Sequence, residues 1–319
     1  MIWRELGDPG GYIEPFAGSA AVLLARPQFT GRRVETINDA DGWLINTWRA
    51  IQLSPAETAR YAAGPVSEID YHARLAWLQA RRTPDLVAWL EGDPEAHDPK
   101  AAGWWLYVVA CGIGDPWGGG PWLVRDGLLV NSRTSGTPER ESTGVNRKLP
   151  HLGDAGRGIH RALPHLGDAG QGVHEAQIAA TLTELAARLE RVRITCGDWQ
   201  RVLNPSVTRP TSGGDGKVAV FLDPPYATSG DLYAVSSDGI AEQVRDWCAT
   251  APADTRIVLC GFEDEHDALL AHGWVRLDGK SGGGAGYNTD SAAGRRERLW
   301  CSPACLGHHR QDDLFGEAS

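Results

Sequence analysis

The feature that most constrains the fold of this chain is an uninterrupted apolar segment, Val218–Leu222, that runs directly into Asp223-Pro224-Pro225-Tyr226. A strand that is apolar at every position is typical of a parallel sheet covered by helices on both faces. Further strand signals alternate with helical segments, at 11–16, 34–37, 192–196, 257–260, 274–278 and 297–302. This alternation predicts an α/β protein with a mainly parallel sheet, whose ligands bind at the carboxyl ends of the strands.

Helical segments connect these strands and also form a separate block. Apolar residues recur at helical spacing over 44–48 and 178–189, and helices are predicted over 238–250 and 264–271. Residues 59–112 are helical in character and rich in tryptophan, and residues 113–173 show little regular periodicity. An irregular stretch of that length inside a compact domain indicates a functional insertion.

Composition bounds the class of protein. The chain has 319 residues, of which 42% are hydrophobic, enough for a sizeable core. It carries no apolar run long enough to cross a bilayer and no signal-peptide pattern, so a cytoplasmic protein is predicted. The net charge of −10 argues against a uniformly basic nucleic-acid binder. A local basic stripe is sufficient for phosphate contact, because charge interactions fall off within about 10 Å at moderate salt.

The six cysteines are scattered, and several fall inside predicted core strands, which indicates reduced structural thiols. The tail sequence from Cys301 and Cys305 to His308-His309 contains metal-binding residue types. Its spacing matches no well-defined zinc site, so no metal is predicted.

Asp223-Pro224-Pro225-Tyr226 is the sharpest chemical signal. An adenine amine is a poor nucleophile because its lone pair is delocalised into the ring. A carboxylate and a backbone carbonyl that both accept from this amine favour a pyramidal nitrogen with an available lone pair. The prolines restrict the backbone that presents this carbonyl, and Tyr226 offers a face for an extruded base. The alternative is purely structural, because a strand that ends in prolines, with the aspartate as a cap, carries the same four residues.

A second signal, Glu14-Pro15-Phe16-Ala17-Gly18-Ser19, ends the first strand. Small residues here let the backbone approach a ligand closely, and the next helix presents its N-terminus. The dinucleotide fingerprint G-x-G-x-x-G is absent, which argues against a nicotinamide enzyme. Asp39 ends the second strand, where an acidic side chain either holds ribose hydroxyls or caps a helix.

Together these segments resemble the Dam-like family of DNA adenine N(6)-methyltransferases, in a phage- or prophage-type member with the alpha order of motifs. The matching segments follow the family's order: Glu14 to Ser19, Asn38-Asp39-Ala40-Asp41 with Leu44-Ile45-Asn46, Gly197-Asp198-Trp199, and Asp223 to Tyr226. The resemblance covers roughly residues 11–58 and 178–302. Low lysine and methionine usage beside abundant alanine, glycine and arginine also suggests a high-GC bacterial or phage genome.

The resemblance implies a Rossmann-like seven-stranded methyltransferase sheet, S-adenosylmethionine as cofactor and no metal. It assigns Phe16, Ala17 and Gly18 to the methionine end of the cofactor, Asp39 to its ribose and Asp198 to its adenine. Asp223 and Tyr226 then hold the target base, with Pro224 and Pro225 between them. The full cofactor set that it implies is Glu14, Pro15, Phe16, Ala17, Gly18, Ser19, Asp39, Asp198, Trp199 and Asp223.

The predicted organisation has two core segments around an insertion. Residues 1–58 and 178–305 form the methyltransferase core, residues 59–177 the α-rich target-recognition domain, and residues 306–319 a tail. Within the insertion, residues 131–162 carry six basic residues against three acidic ones, which favours a phosphate-facing loop over a solvated surface loop. The basic residues proposed to contact DNA are Arg133, Arg147, Lys148, Arg157 and Arg161. Leu149–Gly156 recurs as Leu163–Gly170, and two copies are too few for a solenoid.

One departure from the family concerns the N-terminus. Relatives begin with a lysine- and glycine-containing segment that helps to bind the carboxylate of the cofactor. Only ten residues, Met1 to Gly10, precede the strand that leads into the first motif here, and none is lysine. Cofactor binding is therefore expected to be weak unless Arg4, the only cation in that segment, folds over the site.

The predicted function is methyl transfer from S-adenosylmethionine to the exocyclic amine of adenine in double-stranded DNA, by direct in-line attack. Cytosine N(4) methylation uses the same chemistry, although those enzymes more often carry serine at the position of Asp223. A catalytically silent DNA- or cofactor-binding protein is the alternative from another class. The sequence leaves open the recognition site, monomer or homodimer, and any partner nuclease of a restriction or defence system.

Overall fold

The computed structural model divides the chain into two compact units, Met1–Ala40 with Arg191–Ser319 and Asp41–Glu190. Each unit has its own secondary structure. The residues that the structure describes are 1–27, 32–65, 67–81, 85–111, 122–125, 128–131, 175–204, 206–208, 213–224, 239–278 and 297–307.

The first unit is built on a seven-stranded sheet. Its strands are β1 Gly11–Glu14, β2 Val34–Asp39, β5 Val192–Cys196, β6 Val218–Leu222, β7 Arg256–Phe262, β8 Val275–Asp278 and β9 Glu297–Cys301. Strands β3 Trp122–Arg125 and β4 Leu128–Asn131 belong to the second unit. The order in the large sheet is β5-β2-β1-β6-β7-β9-β8. Pairing is parallel from β5 to β7, and β9 is antiparallel to both of its neighbours. The predicted α/β fold with a mainly parallel sheet is confirmed.

The central strand β6 is buried at all five positions, as its apolar sequence predicts. It pairs with β1 on one side and β7 on the other. Helix α9, Ile240–Thr250, buries Val244 and Cys248 in the same hydrophobic core. Two short helices, α1 Ile2–Leu6 and α2 Ala21–Leu24, complete the helical part of this unit that the structure describes, together with two 3₁₀ turns.

Strand order reverses between β1 and β6. From β1 the chain continues through β2 to β5 on one side, and it returns to β6 and β7 on the other. In open α/β sheets, such a reversal separates the connections on the two faces and leaves a crevice at the carboxyl ends of the strands. The fold therefore offers one preferred place for a ligand in this unit.

The predicted helix over 264–271 is wrong in type and start. The structure has a 3₁₀ helix, Asp267–His272, that ends at Gly273 in the left-handed conformation. The preceding turn explains the late start, because the Phe262 amide donates to the Glu265 side chain at 3.0 Å and Glu263 has a φ of 46°. A residue in that conformation cannot belong to a right-handed helix.

The second unit is helical, as predicted for residues 59–112. Its helices are α3 Gly42–Leu53, α4 Pro55–Ala62, α5 Glu68–Gln79, α6 Asp85–Gly92, α7 Pro99–Cys111 and α8 Glu175–Leu189. Asp41 caps α3 by accepting from the Trp43 amide at 2.9 Å, and Pro55 opens α4 at a position that needs no amide donor. No helix in the described residues is long and apolar enough to cross a membrane.

Strands β3 and β4 form an antiparallel pair in the stretch where the sequence shows little regular periodicity. The dipeptide between them is Asp126-Gly127, a combination favoured in two-residue hairpins. Strand propensity in 122–125 and 128–131 together with this dipeptide was a usable signal for a hairpin.

The compact units do not follow the predicted domain bounds. Helices α3 and α8, which the sequence groups with the core segments 1–58 and 178–305, belong to the helical unit by their contacts. The side chain of Gln52 on α3 donates to the Leu189 carbonyl on α8 at 2.6 Å. The assignment of the insertion to target recognition stays a prediction.

Candidate functional site

Four carboxylates lie at or just after the ends of neighbouring parallel strands. Glu14 ends β1, Asp39 ends β2, Asp198 follows β5 by two residues, and Asp223 follows β6 directly. Because parallel strands end at one edge of a sheet, the topology brings these four residues to the same edge, across the point where strand order reverses. We call this set the carboxyl edge. It contains four of the residues that the sequence assigns to the site.

A tight turn over residues 15–20 joins β1 to α2 and passes along this edge. The Ala17 amide donates to the Asn38 carbonyl at 2.8 Å, and the Gly18 amide donates to Asp39 Oδ2 at 3.0 Å. Gly18 has a φ of 47°, a left-handed conformation that favours glycine, and a Cβ placed there would meet no atom within 4 Å. The turn is thus anchored to the end of β2 and presents an open surface at Gly18.

Asn38 holds three segments of this edge together, and the sequence analysis did not assign it to the site. Its side-chain amide donates to the Pro15 carbonyl at 3.1 Å and to the Gly197 carbonyl at 2.9 Å. Its side-chain oxygen accepts from the Thr195 hydroxyl at 3.0 Å. The buried amide therefore uses its donors and an acceptor to connect β2 with the loops after β1 and β5. An asparagine beside Asp39 at a buried strand end was a usable signal.

Glu14 is the buried carboxylate of the carboxyl edge. The side chain is only 2% exposed, and Oε2 accepts from the Tyr12 hydroxyl at 2.9 Å and from the Leu23 amide at 3.1 Å. Burial, with a smaller contribution from the negative charge of Asp223, raises the pKa of Glu14 to about 8. Glu14 is therefore predominantly protonated at neutral pH when no cation lies beside it.

Asp198 and Trp199 differ sharply in environment. Asp198 is exposed and caps the 3₁₀ turn Trp199–Val202 by accepting from the Gln200 amide at 2.8 Å. Trp199 is buried in the core, where its ring lies 5.8 Å from Phe16 and 6.4 Å from Trp247. Trp199 thus supports Phe16 of the 15–20 turn from beneath.

Asp223 is exposed at the end of β6, and Pro224 is buried. The negative charge of Asp223 acts on Glu14 and also on Cys260 of β7. Burial first, and then this charge, raise the pKa of the Cys260 thiol well above its usual range. Cys260 is therefore a neutral thiol rather than a nucleophilic thiolate. Pro225 and Tyr226 lie outside the described residues.

Arg4 does not lie at the carboxyl edge. Its side chain pairs with Glu5 at 3.2 Å, and Glu5 lies beside Gly307, after β9. Cys301 at the end of β9 pairs with Val258 near the start of β7, so this neighbourhood is at the amino end of the parallel strands. The expectation that Arg4 replaces a missing cation at the cofactor site is wrong, because α1 precedes β1 and packs at the opposite end of the sheet.

Asn46 and the two cysteines of the tail sequence have structural roles. Asn46, from the second matching segment, is buried and exchanges two hydrogen bonds with the backbone of Asp98, at 2.7 and 3.1 Å. Cys301 and Cys305 are buried, and the Cys305 thiol donates to the Ile257 carbonyl at 3.3 Å. The proposed DNA-contacting residues Arg133, Arg147, Lys148, Arg157 and Arg161 lie outside the described residues, as does the repeat.

Comparison of the chain with protein-family models and with curated protein sequences gives no match in either case.

Proposed function

We propose that this protein is an S-adenosylmethionine-dependent DNA methyltransferase that acts on the exocyclic amine of adenine. The observation that carries the proposal is the carboxyl edge. Glu14, Asp39, Asp198 and Asp223 belong to separate parts of the sequence, and the sheet order brings them to one edge at its point of reversal. Their order along the chain is also that of the motifs that resemble the Dam-like family.

The chemistry of these residues fits the cofactor. Asp39 and Asp198 offer acceptors for hydroxyl and amine groups. The open surface at Gly18 leaves room for close approach to the backbone. The negative charge at the edge favours a positively charged sulfonium over a neutral ligand. Asp39, Asp198 and the 15–20 turn are therefore the residues that would hold the cofactor, and Glu14 supports that turn.

The residues at the end of β6 serve the target base. When bound, the cofactor supplies a methyl group on a positively charged sulfonium, which is a good electrophile. The Asp223 carboxylate accepts a hydrogen bond from the adenine amine and so reduces the conjugation of its lone pair with the ring. The buried Pro224 restricts the backbone beside this carboxylate. Positioning and charge stabilisation then account for the rate, without a covalent intermediate on the protein.

A second group of side chains, in the helical unit, supports DNA as the substrate. Arg81 and Lys100 lie over the ring of Trp77, at 3.8 and 4.9 Å from its centroid, and Lys100 lies 4.4 Å from that of Trp104. The two indole rings contact each other edge to face at 4.9 Å. We call these four residues the cationic face. Both tryptophans are half-buried.

Within the described residues, no ion pair joins Arg81 or Lys100 to a carboxylate. A phosphate is therefore a suitable partner for each of these cations, because charge-assisted hydrogen bonds from arginine or lysine hold phosphate oxygens well. Arg81 is exposed and Lys100 is half-buried, on a chain whose net charge is −10. The cationic face is thus a local positive surface on an acidic protein.

The decisive experiment is incubation of double-stranded DNA with the full chain and S-adenosylmethionine, followed by digestion to nucleosides and mass detection. The expected product is N(6)-methyladenine. N(4)-methylcytosine instead would replace the adenine assignment with the alternative amine methylation. Absence of any methylated base, in a preparation that binds both ligands, would identify a catalytically silent protein.

A further inference from the structure

Trp3 joins the N-terminal segment to the start of α2. Its indole N–H donates to the Val22 carbonyl at 2.7 Å. Its ring also packs against Tyr12 of β1, with 4.8 Å between centroids and an angle of 44°. Trp3 therefore contacts both the strand before the 15–20 turn and the helix after it.

Tyr12 continues this connection to Glu14. The Tyr12 side chain is fully buried, and its hydroxyl donates to Oε2 of Glu14, two residues along the same face of β1. The Leu23 amide donates to the same oxygen at 3.1 Å. Helix α2 is thus held twice, at the Leu23 amide by Glu14 and at the Val22 carbonyl by Trp3.

These contacts matter because α2 has only four residues, Ala21–Leu24. A helix of that length is not stable in isolation, since nucleation fixes several backbone angles for a single hydrogen bond. The 15–20 turn has its other anchors at Asn38 and Asp39. Its exit is therefore held by Trp3 and Glu14, and its first half by the end of β2.

We propose that Trp3 and Tyr12 are positioning residues that, through Val22 and Glu14, hold the 15–20 turn in the conformation that receives the cofactor. The inference rests on the proposed function. On this inference, the segment Met1–Gly10 supports the 15–20 turn by packing and a hydrogen bond, rather than by placing a cation beside the cofactor. Arg4 does not reach the carboxyl edge, whereas Trp3 supports the turn from the side of α2.

The same arrangement links cofactor binding to a proton. The titratable and charged groups that act on Glu14 and Tyr12 are Asp223, Glu35 and Arg26, and Glu14 in turn acts on Cys260. On the proposed function, a sulfonium held beside Glu14 would favour its ionised form, so binding is expected to release the Glu14 proton below about pH 8. The thioether product, S-adenosylhomocysteine, lacks that charge. Its affinity is expected to depend less on pH.

Tyr12→Phe tests the proposal, because it removes one hydroxyl and keeps the ring. Tyr107→Phe is the matched control: Tyr107 is also buried, donates to the Pro65 carbonyl and accepts from the Ser67 amide, and lies in the other unit. Calorimetric titration of each full-length protein with S-adenosylmethionine and S-adenosylhomocysteine, at pH 6.5, 7.5 and 9, gives the affinities. Amide hydrogen exchange over residues 15–24 of the ligand-free proteins reports on the turn itself.

Tyr12→Phe is expected to weaken S-adenosylmethionine binding about tenfold, the effect of losing a hydrogen bond to a charged group. The pH at which affinity rises should move upward, because the Tyr12 hydroxyl lowers the pKa of Glu14. Exchange over 15–24 should accelerate. Trp3→Phe keeps a ring and removes the indole N–H. It should accelerate amide exchange in the same residues and weaken the binding of both S-adenosylmethionine and S-adenosylhomocysteine.

If the wild-type protein binds the ligands and Tyr12→Phe has the same affinities, pH profiles and exchange rates, the inference is overturned and the proposed function stands. Equal losses of ligand affinity in Tyr12→Phe and Tyr107→Phe would also overturn it, because a general loss of stability would then be sufficient. If the wild-type protein binds neither ligand, the proposed function fails, and the role in cofactor reception fails with it. These outcomes are distinguishable because the wild-type titration is read first.

Discussion

At the scale of single residues, the candidate site is a set of carboxylates in unlike environments. Glu14 is buried and shares its proton-accepting oxygen with Tyr12 and Leu23, whereas Asp223 and Asp198 are exposed. Asp39 lies between these extremes and accepts from the Gly18 amide. Burial raises the pKa of Glu14, whereas Asp198 and Asp223 lie at the surface, so neighbouring carboxylates at one edge serve different purposes. Glu14 supports the backbone of the 15–20 turn, and Asp223 is exposed at the end of β6, where the proposed function assigns it to the target amine.

Asp223→Ala is expected to reduce methyl transfer by at least about a hundredfold, because the hydrogen bond to the reacting amine is lost. Affinity for S-adenosylmethionine should change little. Asp246→Ala on α9 is the control, since Asp246 is also an exposed aspartate in the same unit. The measurements are initial rates of methylation and calorimetric affinities. Near-normal turnover by Asp223→Ala would remove this residue from the proposed mechanism.

The raised pKa of Glu14 also leads to a prediction of how the stability of the ligand-free protein depends on pH. Its pKa is raised from the usual 4.5 to about 8, so the folded state retains a proton that the unfolded state releases. The stabilisation is complete below about pH 4.5 and is lost as pH rises through 8. Over that window this group lowers the free energy of unfolding by up to about 1.4 kcal/mol per pH unit.

Glu14→Gln should remove that slope, because the amide keeps an acceptor oxygen and does not titrate. Urea denaturation at pH 5, 6.5 and 8 measures the free energy of unfolding for both proteins. Glu242→Gln, at an exposed position on α9, should leave the wild-type slope intact. Parallel pH profiles of wild type and Glu14→Gln would show that Glu14 is ionised throughout this range.

At the scale of elements, close backbone contact defines the helical unit. Gly103 on α7 packs against α4, and a Cβ at this position would lie 2.5 Å from the Thr58 carbonyl oxygen. Thr58 itself donates its hydroxyl to the carbonyls of Ala50 and Ser54. The α4–α7 crossing therefore depends on the absence of a side chain at one helical position, although glycine disfavours helices.

Gly103→Ala is expected to destabilise the protein by about 1–3 kcal/mol, because the added methyl group forces α4 and α7 apart. Gly92→Ala provides the matched comparison. A Cβ at Gly92 on α6 would meet no atom within 4 Å, so alanine there should be neutral or stabilising by up to about 1 kcal/mol. Thermal denaturation distinguishes them. Stabilisation by Gly103→Ala would contradict the contact between α4 and α7.

At the scale of the whole molecule, the proposed DNA substrate requires local positive charge on an acidic chain. The net charge is −10, and each of the two units is compact by its own contacts. The cationic face supplies Arg81 and Lys100 from the helical unit, and the basic loop over 131–162 supplies further cations by sequence. If both contact phosphates, DNA affinity falls steeply with salt, because each contact releases condensed counterions.

Arg81→Gln with Lys100→Gln should lower DNA affinity and reduce the salt slope by up to about two, close to one per lost phosphate contact. Cofactor affinity should be unchanged, because the carboxyl edge lies in the other unit. Fluorescence anisotropy with a labelled duplex at several salt concentrations measures the slope. Arg245→Gln with Lys217→Gln, two cations of the first unit that pair with carboxylates, is the control. Equal slopes for both pairs would make the cationic face a structural feature only.

The basic stretch over 131–162 is tested in the same way, by neutralising Arg147, Lys148 and Arg157 together and measuring DNA affinity. The salt slope should fall by up to about three, with the methylation rate at saturating DNA unchanged. An unchanged slope would show that the loop is a solvated surface. The same duplex and the same control pair apply.

The sequence by itself determined the seven strands of the large sheet, the helices α3, α8 and α9, the helical character of residues 59–112 and the positions of the carboxylates. Val218–Leu222 is apolar throughout and Asp223 follows it, and such patterns are properties of short windows that strand and helix periodicity impose. The type of the 264–271 segment was outside that reach, because one side-chain contact to the Phe262 amide displaces its start. The antiparallel pair of β3 and β4 was within that reach, because strand propensity in 122–125 and 128–131 flanks Asp126-Gly127, but the sequence analysis did not predict it.

Only the tertiary structure decided which residues serve the site and which serve the fold. Asn38 connects three segments, Tyr12 and Trp3 meet at the start of α2, and Arg4 pairs with Glu5 at the opposite end of the sheet. None of these roles is encoded in a local pattern, because each depends on strand order and on contacts between residues distant in sequence. The pKa of Glu14 has the same origin, since burial of its carboxyl group results from the packing of the whole unit rather than from the residues beside it.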